Sequence, residues 1–376
     1  MTRWIVVGGG TAGCVVAARL ADVRGNDVTL LEAGTPTGRR VASSSSLADL
    51  AEPGAVWDGG YLRGRGLGGS SRISGGVLGG EVPDWLPAAT PADDELGPLD
   101  RALLAATPEA TRALLTRRDG RFVSAADLLT GTLAAGVRPD DAHRQRTSTA
   151  TAVARVLIDG GRAVAVELAN DTTVEADRVV LCAGAIGTPL LLERSGVSHA
   201  GLGAVTDHAG RVIEIGMRAE VDPASLVTGA VLRRAGIELV PLNHVGTHAP
   251  GRAALLAGWL RSPRRGRVTP AGGVAWEPLD HRTAAGLRSG VELAVDLLRR
   301  APFRQVVADF TVSPRLGGYY HACGTCRAVV DETGQVNDVD HLYVADASTL
   351  ALPPSGLLGP VLAHAERFAR GPASSR

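Results

Sequence analysis

WIVVGGGTAGCVVAARLADVRGNDVTLLE, Trp4 to Glu32, changes character three times within 29 residues. Trp4–Val7 is a short apolar run of branched residues, which suits a buried parallel strand. Gly8-Gly9-Gly10-Thr11-Ala12-Gly13 follows as a GxGxxG, and then Val15, Val16, Ala18 and Leu20 recur at helical spacing. A second strand, Asp27–Leu31, ends at the acid Glu32. The order strand, glycine turn, helix, strand, acid is that of a Rossmann-like dinucleotide-binding unit. Each residue type has a physical reason. Gly8 allows the sharp turn, Gly10 with Thr11 and Ala12 lets a diphosphate reach the helix N-terminus, and Gly13 lets helix and strand pack closely. Glu32 lies 19 positions after Gly13, where a carboxylate accepts from ribose hydroxyls and repels the 2′-phosphate of NADP. The spacing leaves FAD and NAD both open.

Composition narrows the function classes. The chain has 376 residues, 45% of them apolar, enough for two or more domains. Its 39 Lys and Arg balance 39 Asp and Glu, so no net field attracts nucleic acid or an anionic membrane. Every one of those bases is arginine, which excludes a P-loop lysine, a pyridoxal Schiff base and a Ser–Lys dyad. No apolar run reaches the ~18 residues of a membrane span, and the N-terminus has no signal-peptide pattern. Four cysteines do not make a disulfide framework in a chain this long. These features set the expectation of a soluble cytoplasmic protein. The tract Ser43–Ser46 reads as a short loop.

A second glycine cluster, Gly64 to Gly76 (GRGLGGSSRISGG), decides between the nucleotides. Six glycines and three serines in thirteen residues form a backbone-lined groove with hydroxyls, not a regular helix or strand. A flavin, with its ribityl chain and extended ring, needs such a loop, and NAD does not. GRGLGGSSRIS resembles the first signature of the glucose–methanol–choline (GMC) family of FAD-dependent oxidoreductases, which includes choline dehydrogenase-like enzymes. Leu181–Gly196 (LCAGAIGTPLLLERSG) resembles the second signature, read here as a strand into Ala183-Gly184 and then a helix led by Thr188 and Pro189. Thr206-Asp207-His208 is similar to the family's Asp-His loop. HACGTC and then LYVADAS, Leu342–Ser348, match its C-terminal segment, and the motifs run in family order over residues 5–370.

The resemblance implies an α/β fold: a Rossmann-like FAD-binding domain with a smaller α+β substrate domain containing a mostly antiparallel sheet. Residues 1–80, 145–210 and 315–376 would build the first domain; 81–144 and 211–314 would build the second. The excursion 81–144 reads as helix-like. The second reads as strands at Arg211–Ala219, Val227–Arg233, Ile237–Leu242 and Ala253–Leu260, a turn-rich pair in RGRVTPAGGVAWEP, and a helix Arg282–Arg300. Family members commonly run longer, so this cap is a reduced one. The residues the resemblance assigns to FAD are Gly8, Gly10, Thr11, Ala12, Gly13, Glu32, Gly66, Gly68, Gly69, Ser70, Ser71, Ser74, Val153, Ala183, Gly184, Asp346 and Ala347.

GYYHACGTCRAVV, Gly318–Val330, carries the chemistry. His321, Cys323 and Cys326 could be a metal clip, a redox-active CxxC, or a histidine with two bystander cysteines. Tetrahedral zinc needs four ligands, three lie here, and the CxxC has no thioredoxin context. Position His321 matches the family's catalytic histidine, which implies a general base for the hydroxyl proton while hydride leaves carbon for the flavin N5. A buried, backbone-satisfied histidine is the plain alternative. Cys14 and Cys182 read as small buried hydrophobes. One departure counts against turnover. The family's second histidine or asparagine falls on Gly356, and Ser74 stands where many members carry asparagine. His364 on the last helix reads as packing. PSGLLGP and the short cap resemble mycofactocin-associated members, which would imply passing electrons to a redox carrier rather than to oxygen; the sequence itself leaves oxygen, a quinone and a redox carrier open as electron acceptor. The expected substrate is a small-molecule alcohol, with no nucleic acid and no integral membrane segment. The rival readings are a catalytically reduced FAD-binding scaffold or electron-transfer partner, supported by Gly356, and an NAD-dependent dehydrogenase, which leaves the second glycine loop unexplained.

Overall fold

Trp4 and Val6 face one side of a parallel sheet, and Ile5 and Val7 face the other, as the two-residue period of a strand requires. Both sides are buried, which explains the continuous apolar run that opens the chain. This is a computed structural model; it describes residues 1–35, 56–57, 59–118, 121–128, 145–222, 225–245, 249–317 and 319–371. Ser43–Ser46 and the stretch 129–144 lie outside the described residues.

The parallel sheet has five strands in the order Leu342–Val344, Arg178–Leu181, Thr2–Val7, Asn26–Leu31 and Gln145–Ser148. Helices Thr11–Ala21 and Leu358–Arg370 cover the face of Trp4 and Val6. A three-stranded antiparallel sheet (Val153–Asp159, Arg162–Leu168, Thr173–Glu175) and helix Gly184–Arg194 cover the face of Ile5 and Val7. A second, seven-stranded sheet is antiparallel throughout, in the order Val307–Leu316, Ala204–Met217, Arg252–Val268, Ile237–Leu242, Ala230–Arg234 and Ala110–Arg112, with Val274–Trp276 paired to the end of Arg252–Val268. Helices Pro98–Ala106 and His281–Leu298 pack on one face of it, burying Leu99, Leu103, Leu297 and Leu298. Each such side chain contributes about 1.5–3 kcal/mol of burial. Asp280 caps the longer helix by accepting from Thr283 N at 2.8 Å. Gly286 lets that helix lie flat on Trp259, where a Cβ would come within 2.3 Å of the indole.

The Rossmann-like unit and the antiparallel sheet agree with the sequence reading. Local boundaries differ. The strand expected from Arg211 begins at Ala204 and runs to Met217, so it passes straight through the boundary set at residue 210. It is held across that boundary by pairing with Arg252–Val268, which a local pattern does not register. The strand Val307–Leu316 likewise runs through the boundary at 315. Among its described residues, the first excursion holds one α-helix, a short 3-10 turn at Ala125–Leu128 and several short strands rather than helix alone. Helix Gly184–Arg194 begins at Gly184, so Thr188 and Pro189 sit inside it instead of leading it. Proline there removes the N–H that would bond the Ala185 carbonyl; the Thr325 hydroxyl donates to that carbonyl instead, at 2.8 Å.

Candidate active site

The glycine turn and the second glycine loop meet. Gly8 has φ of 101°, and a Cβ there would lie 2.6 Å from the Cys182 carbonyl oxygen, so only glycine fits. Gly13 packs so closely that its Cβ would sit 1.8 Å from Gly8 O. Gly68 N donates to Gly9 O at 2.7 Å, and Thr11 Oγ1 donates to Gly68 O at 3.5 Å. A Cβ on Gly69 would fall 2.8 Å from Gly10 Cα. The helix starting at Thr11 has no side-chain cap, so the N–H groups of its first turn, Thr11, Ala12 and Gly13, are open to an anion. A Cβ on Gly10 would find its nearest neighbour at 4.0 Å, and one on Gly184 would find nothing within 4 Å. Open glycine faces beside uncapped N–H donors fit a dinucleotide diphosphate.

Glu32 is committed more heavily than its sequence position implied. It is buried; Oε2 accepts from Gly9 N at 2.7 Å, and Oε1 accepts from Gly34 N at 2.7 Å and Gly66 N at 3.1 Å. The carboxylate therefore ties three backbone segments together and keeps one lone pair beyond these three bonds. The serine hydroxyls are also bonded to backbone groups. Ser71 Oγ donates to Gly68 O at 2.6 Å and accepts from Ala125 N at 3.1 Å. Ser70 Oγ accepts from Gly64 N at 3.1 Å, and Ser74 Oγ donates to Ser71 O and accepts from Gly76 N, both at 3.3 Å. What the loop presents to a ligand is chiefly backbone. Val153 opens its strand two residues beyond Thr151, whose N–H donates to the Glu32 carbonyl at 2.9 Å.

Asp346 joins this end to His321. Its Oδ2 accepts from Gly184 N at 2.8 Å and Thr188 Oγ1 at 2.6 Å, and its Oδ1 accepts from Ser348 N at 2.7 Å. The turn it caps then accepts from the histidine loop: Gly324 N donates to Ala347 O at 3.0 Å and Cys326 N to Ser348 O at 2.8 Å. Ala183 and Gly184, Asp346 and Ala347, and the loop of His321 thus form one bonded unit beside the glycine turn.

The histidine itself is fixed from three sides. Tyr320, just before it, has φ of 57°, a strained left-handed backbone in a non-glycine residue. His321 N donates to Asp207 Oδ1 at 2.8 Å, and Tyr61 OH donates to Asp207 Oδ2 at 2.9 Å. Ala322 N in turn donates to Tyr61 OH at 2.8 Å. Burial raises the Asp207 carboxyl to about 6. The His321 ring meets Tyr319 edge to face, with centroids 5.4 Å apart. Its Nδ1 lies 3.0 Å from Nδ1 of His208, whose Nε2 lies 2.9 Å from the Pro353 carbonyl oxygen. Burial, and then repulsion from His208, lowers the His321 pKa to about 3; burial lowers that of His208 to about 4. Both rings are neutral near pH 7. His321 Nε2 makes no hydrogen bond to any described residue.

The cysteines separate. Cys323 packs in the core on the Trp4 side of the parallel sheet, and Cys326 packs in the core on the Ile5 side. Both thiols are pushed up to about 12 by burial. They are two hydrophobes in two cores, and Cys14 and Cys182 are buried together in the core on the Trp4 side. His364 bonds Thr349 Oγ1 at 2.9 Å, a packing role.

His208 is the residue that sequence reasoning undervalued. It was recognisable as part of Thr206-Asp207-His208, but its partner lies 113 residues away. The second imidazole beside His321 comes from the strand Ala204–Met217, not from the C-terminal loop where Gly356 stands.

The comparisons agree with this geometry. Two GMC oxidoreductase family models match residues 130–216 and 265–362, and an NAD(P)-binding Rossmann-like domain model matches residues 6–60. An uncharacterized GMC-type oxidoreductase of Rhodococcus erythropolis is 27% identical over 472 aligned positions, covering 94% of each chain. Pyridoxine 4-oxidase of Microbacterium luteolum is 24% identical over 514 positions, covering 97% of this chain and 98% of that one. Both alignments are longer than 376 residues, so this chain is the shorter member of each pair. Among solved structures, pyridoxine 4-oxidase from Mesorbium loti superposes with a TM-score of 0.84 at 23% identity over 100% of both chains. A formate oxidase superposes with a TM-score of 0.80 at 17% identity over 98% of each. The chain belongs to the GMC oxidoreductase family, and its cofactor is FAD.

Proposed function

We propose that this oxidoreductase converts the CH–OH group of a small alcohol to a carbonyl, with His321 as the base that takes the hydroxyl proton. FAD supplies the hydride acceptor, its N5. The first-turn N–H groups from Thr11 to Gly13, with Gly8 and Gly10 clearing the way, receive the diphosphate. Glu32 offers its remaining lone pair to the ribose, and Val153 opens the strand that follows Thr151, the donor to the Glu32 carbonyl. The backbone of Gly66, Gly68, Gly69 and Ser70, the turn Ala183–Gly184 and the turn Asp346–Ala347 line the rest, while Ser71 and Ser74 hold the loop's shape.

One observation carries the chemistry. Among the described residues, the backbone N–H and Nδ1 of His321 have hydrogen-bond partners, and its neutral Nε2 has none. As the hydroxyl proton moves to that nitrogen, two electrons and a proton leave the carbinol carbon as hydride, and the C=O bond forms. The cofactor, when bound, would hand the electrons on to an acceptor such as oxygen, a quinone or a redox carrier. Relatives named for pyridoxine and choline, both small hydroxyl compounds, support an alcohol substrate. The reading of a decayed scaffold leaned on Gly356, and His208 supplies an imidazole on the other side of the base. The test is anaerobic: the FAD-loaded protein should lose its yellow flavin absorbance with some member of an alcohol panel. A protein that takes up no FAD, or that no alcohol bleaches, overturns the proposal.

A further inference from the structure

The pair His208–His321 has a direction. A carbonyl oxygen only accepts, so at 2.9 Å from Pro353 O the His208 Nε2 must donate. A neutral imidazole carries one N–H, which leaves His208 Nδ1 as a bare acceptor. The two Nδ1 atoms are 3.0 Å apart, and the single proton between them therefore belongs to His321. With Nδ1 protonated, the lone pair of His321 is placed on Nε2, the one ring nitrogen of the pair without a partner among the described residues.

We infer that His208 is a positioning residue which fixes the tautomer of His321, reading out the Pro353 carbonyl and passing its polarity through two imidazoles to the reacting nitrogen. This rests on the function proposed above and adds the device that makes Nε2 the base. His208 is itself held firmly in place. It is 3% exposed, its ring meets Tyr319 edge to face at 5.8 Å, and Asp207 Oδ1 accepts its backbone N–H at 2.7 Å. The same Asp207 oxygen accepts from His321 N, so one carboxylate sets the spacing of both histidine backbones. Unassisted imidazole in water favours the opposite tautomer, with the proton on Nε2, which would point an N–H donor where a base is needed.

Two variants of the FAD-loaded enzyme separate this from simple packing. His208→Phe keeps a ring but offers no acceptor to His321 Nδ1. His208→Asn places an amide oxygen near the lost Nδ1 and restores one. We expect anaerobic flavin reduction in His208→Phe to slow roughly 100-fold or more with little change in substrate Kd, and His208→Asn to recover most of that loss, because a correctly presented base contributes about 10²–10⁴. Ring-nitrogen spectra of 15N-histidine-labelled protein give a readout that activity does not. Wild type should show His321 protonated at Nδ1, and His208→Phe should show it protonated at Nε2. A wild-type His321 protonated at Nε2, or a Phe variant reduced at the wild-type rate, overturns the inference. If no alcohol reduces the wild type, the proposed function fails and the spectra alone decide the role of His208. If His208→Phe does not retain FAD, the wild-type spectrum and the Asn variant decide it.

Discussion

Replacing Glu32 with Gln asks whether this residue is only a ribose ligand or also a structural tie. The carboxylate accepts three backbone N–H groups while 5% exposed. A Gln amide has one oxygen. Turned toward Gly34 and Gly66, it keeps those two bonds but faces its own NH2 group against Gly9 N–H, at the present 2.7 Å contact. Turned the other way, it loses two. The smaller loss is one charge-assisted bond plus a buried donor with no acceptor, together about 2–4 kcal/mol. Unfolding entropy near 2.1 cal/mol/K per residue gives roughly 0.8 kcal/mol/K for a chain of this size, so Tm should fall by about 3–5 °C. The assay is scanning calorimetry on the FAD-free protein, where no ribose can contribute. A residue that acts only on the cofactor leaves that Tm in place and weakens FAD binding alone. A shift below about 1 °C in the FAD-free protein corresponds to less than one hydrogen bond and refutes the tie.

Two further outcomes follow from the same contacts. Burial holds the His321 pKa near 3 and that of His208 near 4, so both stay neutral as pH falls from 8 to 5 and their ring signals should not titrate in that range; a midpoint near the ordinary value of about 6.5 contradicts the geometry. By linkage, these two histidines contribute stability above the unfolded value that is lost as pH drops toward the folded values, while Asp207, raised to about 6, acts in the opposite sense as pH rises, so the ring signals are the measurement to read. Thr325→Val removes the donor that satisfies Ala185 O opposite Pro189 and should cost about 1–3 kcal/mol in denaturant unfolding; a neutral result would mean that carbonyl finds another partner.

Legibility tracked sequence distance. The first 32 residues announce the parallel sheet because strand, turn and helix follow one another, and hydrophobic period reads directly as burial. The glycine loop at 64–76 was recognisable as a ligand-lining segment because its composition excludes regular structure. What its serines do was not, since each hydroxyl is satisfied by backbone a few residues away once the loop is folded. The same holds for Glu32 and Asp346, whose positions were plain and whose protein partners were not. The start of the strand at Ala204 and the role of His208 depend on pairing across the sheet and on a loop more than a hundred residues downstream. Pro189 misled for a local reason: proline usually opens a helix, and here a distant hydroxyl compensates for its place inside one.

The central claim is that His321 Nε2 takes the proton of an alcohol. Stopped-flow reduction of the FAD-loaded wild type and His321→Ala, with an alcohol that bleaches the wild type, tests it most directly. The variant should bind FAD as before and be reduced about 10²–10⁴ times more slowly. Equal rates would contradict the claim.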